Sequence, residues 1–227
     1  MSEPRIDQRI LFVKEGSAKY ISHLDLMHTM ERAFLRGGIT IRHTAGFHPH
    51  PYVSIPLPLP LGFSSQCELM EFGLEAGCTR EALPERMNQV LPAGIRVLDC
   101  YDAARPFREL ASVRYALTWE FAGELAQGAA EAFRDLTARD HFVVQKKSKK
   151  AKSGFTEVDL IPAIQKVEAL RPLGDKLELT LLLQAQNPGL SPAVLLQGFQ
   201  GAWPQFAPVY TAAHRLEVLD GAGKVFR

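Results

Sequence analysis

Imidazole, guanidinium and carboxylate groups carry proton transfer and phosphate recognition, and this chain gathers them in one stretch: Ser22-His23-Leu24-Asp25, then His28, Arg32 and Arg36. Positions 25, 28, 32 and 36 are three, four and four residues apart, so on a helix they form one polar stripe. Two readings fit it. In one, the stripe is a solvated face and Ser22 and Asp25 only cap the helix. In the other, the face binds an anionic ligand or a partner. An enzyme built on it would use His23 or His48 as acid or base, with Asp25 nearby and Arg32 stabilising phosphate charge.

The loop Gly46-Phe47-His48-Pro49-His50-Pro51 follows His43. His23, His43, His48 and His50, with Asp25, would match an imidazole–carboxylate metal site in ligand type. Their spacing fits no metal motif, and Pro49 interrupts the His-x-His pair, so these read as polar loop histidines and no metal is expected. A second concentration of charge is Lys146, Lys147, Lys149, Lys150 and Lys152, five lysines within seven positions. Such a run repels itself as a solvated loop, and it also attracts a phosphate backbone without reading sequence. Phe155 beside it is suited either to stacking on a base or to entering a strand as core.

No GxGxxG, Walker loop, GxSxG elbow or HExxH helix is present, and no cofactor is expected. Cys67, Cys78 and Cys100 are three in number with no CxxC pair, so neither a disulfide framework nor a cysteine zinc site is indicated. Iron–sulfur clusters need closely spaced thiolates, so the chain cannot itself be a radical SAM enzyme. With 26 Lys and Arg against 25 Asp and Glu, global charge argues for no partner, and local clusters must do so. The N-terminal residues lack a secretory pattern and no apolar run is long enough to span a bilayer, so a cytoplasmic protein with no membrane partner is expected.

The elements that must position these groups follow from periodicity. A strand over 9–14 precedes a helix that Ser22 caps, with Leu26, Met27, Met30, Ala33 and Phe34 as its core face and Gly37-Gly38 as its stop. Strands are expected over 39–43, 52–55, 67–75 and 95–101, with a helix from Thr79 to about Leu91 containing Pro84. The prolines of 57–62 forbid a central strand there. The second half reads as a strand at 113–121, a helix at 124–138 and a strand at 141–145. Strands at 164–171 and 176–184 pair across a turn, a helix begins at Ser191-Pro192, and a strand closes at 210–219. With one extra short extended piece, the first half follows the order β-α-β-β-α-β, and the second half repeats the scheme. We expect an α+β protein of two tandem ferredoxin-like modules, 1–104 and 105–227.

At Tyr20-Ile21-Ser22-His23-Leu24-Asp25-Leu26-Met27, Glu31-Arg32-Ala33-Phe34-Leu35-Arg36, Gly46-Phe47-His48-Pro49-His50-Pro51 and Leu59-Pro60-Leu61-Gly62, the chain resembles the radical SAM-linked family, a bacterial domain of unknown function. The lysine run ending in Gly154 and Glu157-Val158-Asp159 are similar to that family too. On this likeness, Ser22, His23, Asp25, Arg32, Gly46, Phe47, Pro49, Pro51 and Gly62 are the motif positions. The resemblance implies a segment fused to, or encoded beside, cobalamin-binding radical SAM proteins, often near ribonuclease E/G and ribosomal protein genes. It implies no established reaction or catalytic residue. The expectation is therefore an accessory to a radical SAM protein that contacts RNA or a ribosomal component through Lys146, Lys147, Lys149, Lys150, Lys152, Arg32 and Arg36. The alternative is an RNA-processing or RNA-modifying enzyme.

Overall fold

Every residue of the first strand, β1 (Gln8–Lys14), is buried, including the charged ones at its ends. The computed structural model describes residues 7–75, 77–147 and 154–227, with only the backbone of 146 and 147. The fold is α+β with antiparallel strand pairing, and it divides into one unit up to Glu109 and a second from Leu110 to Phe226. Among the described residues no helix is long and apolar enough to cross a membrane.

In the first unit, β1 is followed by α1 (His23–Arg36), β2 (Val53–Ser54), β3 (Ser64–Phe72), α2 (Leu83–Asn88) and β4 (Ile95–Asp102). β1 lies between β4 and β3, and β2 pairs with the far edge of β3. By chain position the strand order is fourth, first, third, second. Ile10, Phe12, Met70 and Phe72 from the strands meet Leu26, Met30, Ala33 and Phe34 of α1, with the Phe34 and Phe72 rings 4.7 Å apart. This is the helix face that the sequence spacing predicts.

Three expectations need correction. Residues 39–43 form no strand: Ile41 and His43 make only isolated bridges, to Leu74 and Pro51. Pro51 has no N–H to continue a ladder. The second helix begins at Leu83 rather than Thr79, with Pro84 in its first turn instead of its interior and Ala82 at φ 55° before it. Proline is tolerated where the first-turn N–H groups have no helical partner, so it sets the start. The strand expected at 67–75 begins and ends three residues earlier.

In the second unit, β5 (Leu110–Glu120), α3 (Ala126–Thr137), β6 (Val143–Lys147), β7 (Phe155–Asp159), β8 (Ile164–Leu173), β9 (Lys176–Gln184), α4 (Pro192–Ala202) and β10 (Tyr210–Asp220) follow. The main sheet runs β10-β5-β9-β8, and β6 and β7 pair only with each other. Without that hairpin the strand order is again fourth, first, third, second. The Trp119 ring of β5 lies 4.9 Å from the tilted Phe199 ring of α4 and 5.8 Å, edge-on, from Phe133 of α3, tying both helices to one sheet face. Arg114 of β5 grips Glu168 of β8 through two nitrogens, at 2.8 and 3.0 Å, and also contacts Glu217 of β10.

Phe34→Ala should lower the stability of the first unit by about 3 kcal/mol, because it opens a cavity against Phe72 in a core with little room to relax. Urea denaturation followed by hydrogen exchange of β3 amides measures this, and a loss below about 1 kcal/mol would contradict that packing.

Candidate functional site

At the start of α1 the Ser22 hydroxyl oxygen accepts the Asp25 N–H at 3.2 Å, and its O–H donates to Asp25 Oδ2 at 2.7 Å. Ser22 therefore caps the helix, its hydroxyl is held by the Asp25 carboxylate, and that carboxylate sits at the positive end of the helix dipole. His23, His28, Arg32 and Arg36 are exposed. Arg36 donates to the Val90 carbonyl at 2.9 Å, tethering α1 to the segment after α2.

The loop after α1 is held at its base by the His43–Pro51 bridge and by the Thr44 N–H bonded to His50 oxygen at 2.8 Å. Gly46 adopts φ 132°, a region that side chains rarely enter, and so permits the turn. The loop holds Phe47 fully in solvent, at 102 % relative exposure. Beside its base is a cavity of about 350 Å³ lined chiefly by apolar groups, with Glu31, Arg32, Leu35, Ile41 and His43 in its walls. Arg32 and His43 thus meet at one cavity. His23, Asp25 and His48 are not in its walls, and Asp25 and Arg32 lie roughly 10 Å apart along the helix axis. Among the described residues no group of three or more His, Cys, Asp or Glu side chains is placed to hold a metal ion. Of the cysteines, Cys100 has its thiol pushed up to about 12, first by burial.

Lys146 and Lys147 belong to β6, opposite Thr156 and Phe155, while Lys149, Lys150 and Lys152 lie outside the described residues. Phe155 is exposed, so it is not a core residue. The hairpin base is built by Asp159. Its Oδ1 accepts the Phe142 N–H at 3.0 Å and the Ile161 N–H at 3.1 Å, and its Oδ2 lies 2.7 Å from His141 Nδ1. These contacts, the Phe142 amide first and then the His141 side chain, hold the carboxyl below its usual pKa.

The base then rests on α4 at Gly198. A Cβ there would lie 2.8 Å from both Val144 Cγ1 and Leu160 Cδ1 and 3.2 Å from Phe142. Phe142 stacks on Trp203 at 6.2 Å, and the Arg139 guanidinium lies 5.4 and 5.0 Å from those two rings. Between β6 and α4 runs a groove of about 420 Å³ whose walls include Phe142, Val143, Gln145, Gln197 and Gly201. The sequence reading missed β7, the anchoring role of Asp159 and this groove. The available signal was the pair Gly198 and Gly201 within an otherwise helical apolar run, since glycine in a helix costs roughly 0.5–1 kcal/mol relative to alanine.

Residues 8–192 match the model of a family described as uncharacterized protein conserved in bacteria, DUF2344, and the chain belongs to that family. No curated protein matches the sequence. Among solved structures, the crystal structure of an unknown protein from Galdieria sulphuraria is similar at 9 % identity over 93 % of this chain and 98 % of that one, with a TM-score of 0.28.

Asp159→Ala should expose the Phe142 and Ile161 amides and speed their hydrogen exchange at least tenfold, as expected for about 1.4 kcal/mol of lost anchoring. The folded pKa of Asp159 is depressed, so its stabilisation is complete above the unfolded value of about 3.9 and is lost as pH falls through the lower folded value. Hairpin protection in the native protein should therefore fall on acidification below that range. Exchange measured in both proteins across this interval checks it, and equal pH dependence in the two would refute the assignment.

Proposed function

We propose that this bacterial protein binds RNA through the β6–β7 hairpin and serves as an accessory to a radical SAM enzyme. The observation that carries the reading is the placement of the first two lysines of the run: Lys146 and Lys147 lie on a two-stranded hairpin that, among the described residues, pairs with neither edge of the main sheet. A hairpin freed from sheet pairing can present its charges to a long anionic chain, while Asp159 and Gly198 keep its base in place. Phe155, exposed opposite Lys147, adds a ring on which a base can stack.

Each unit has the strand order fourth, first, third, second, with helices after its first and third core strands. That order supports reading the two as tandem ferredoxin-like modules. The Ser22-to-Asp25 and Gly46-to-Pro51 motifs, similar to radical SAM-linked segments, support the partnership. In it the chain contributes a nucleic-acid-holding surface and the partner contributes the cluster. Binding is favoured over catalysis because His23, Asp25 and His48 are not in the walls of the cavity that Arg32 lines and Asp25 is engaged at the helix cap.

Lys146, Lys147, Lys149, Lys150 and Lys152 changed together to Ala should weaken binding of a short oligoribonucleotide by more than tenfold in moderate salt. The slope of log affinity against log salt should become shallower by about 3, from about 0.7 per phosphate contact on single strands. Fluorescence anisotropy over a salt series measures both. Unchanged affinity in the variant, or a salt-independent affinity in the native protein, would sink the reading.

A further inference from the structure

Gly201 is a helical glycine with no packing role: a Cβ built there meets nothing within 4 Å, whereas one at Gly198 collides with the hairpin. A glycine in a helix loses conformational entropy that alanine would spare, and no contact at position 201 offsets this. What the missing side chain does is keep open the groove between α4 and β6. Gln197 stands one helical turn before Gly201 on the same wall, and Gln145 stands on the β6 wall; both are exposed. Each primary amide offers an acceptor oxygen and two donor hydrogens, the complement of a base edge. Phe142 is part of the groove's wall, and its ring is stacked on Trp203 with the exposed Arg139 guanidinium near both. Concave shape, two amides, an aromatic ring and a cation therefore occur together, all on described residues.

We infer that the groove between β6 and α4 seats one unstacked nucleobase of single-stranded RNA. Gln145 and Gln197 hydrogen-bond the base edge, and Arg139 meets the adjoining phosphate. This rests on the RNA-binding reading and adds base contact to it. A paired helix presents no free base to such a groove, so single-stranded segments are the substrate class. The lysines of the hairpin supply affinity without sequence preference, and the amides supply the preference among bases.

The test is anisotropy titration of the full chain with short labelled oligouridylate, oligoadenylate and oligocytidylate, with inorganic polyphosphate as competitor. Gly201→Leu fills the groove and raises helix propensity, so the variant is expected to fold; circular dichroism verifies this. It should bind the preferred oligonucleotide about tenfold or more weakly, the loss of one base contact, with the salt slope unchanged. Gln145→Ala with Gln197→Ala, both at exposed positions, should level the affinities of the three oligonucleotides. If Gly201→Leu binds like the native protein, or if polyphosphate competes as well as RNA at equal phosphate, the base seat is overturned while polyanion binding stands. If the native protein binds none of the oligonucleotides, the RNA reading itself falls, and the base seat with it.

Discussion

The approach of α4 to the hairpin at Gly198 is the constraint on which the arrangement of the β6–β7 hairpin depends. Val144 and Leu160 occupy the space a methyl group would need, so any side chain at 198 would force the hairpin base outward. Close packing there lets Phe142 reach Trp203, brings Arg139 over both rings, and gives the groove its two walls. Asp159 works on the same joint from the other side. One carboxylate accepts two backbone N–H groups that would otherwise lack partners where the strand pair begins, and the cost of leaving such groups unmade is larger than the net gain from making them. The lysine run therefore starts from a fixed base.

A different economy governs the first unit. Arg9 is 0 % exposed and Lys14 and Glu68 are each 1 % exposed, although charged residues are seldom buried so fully. Arg9 lies 4.3 Å from the centre of the Phe107 ring, pairs with Glu71 and donates to the Arg105 carbonyl. The connector after β4 thus covers it. Lys14 donates to the Lys19 carbonyl at 3.2 Å; burial lowers its pKa, and the charge of Glu68 works against that lowering. The Gly62 N–H bonds to the same Lys19 carbonyl at 2.8 Å. Gly62 of the Leu59-to-Gly62 motif and the buried Lys14 therefore share one acceptor, the carbonyl of the residue just before the Tyr20-to-Asp25 motif.

The polar stripe of α1 divides along its length into separate tasks. Asp25 holds the hydroxyl of the Ser22 cap, Arg36 ties the helix to the Val90 carbonyl, and of the stripe Arg32 enters the wall of the neighbouring cavity. Residues that share a helix face share a direction, but two turns of helix separate them far beyond hydrogen-bonding distance. Four histidines gathered in sequence are likewise divided: His43 and His50 belong to the base of the loop, His48 lies between them, and His23 lies in the first turn of α1.

By itself the sequence determined what local forces control. Apolar spacing placed the core face of α1, Ser22 and Ser191 marked two helix starts through their side-chain caps, and the turn after Leu173 paired β8 with β9. Each of these depends on residues a few positions apart. It misplaced the start of α2, where Pro84 outweighed Thr79, and read 39–43 as a strand because alternation reports burial and not the presence of a partner ladder. Only the tertiary structure decided that β6 and β7 leave the main sheet, that Arg9 and Lys14 are buried, and that Gln145 and Gln197 belong to the lining of one groove. Those outcomes rest on contacts between residues tens of positions apart, such as Val144 with Gly198, and no local pattern of residue types encodes which distant surface will arrive.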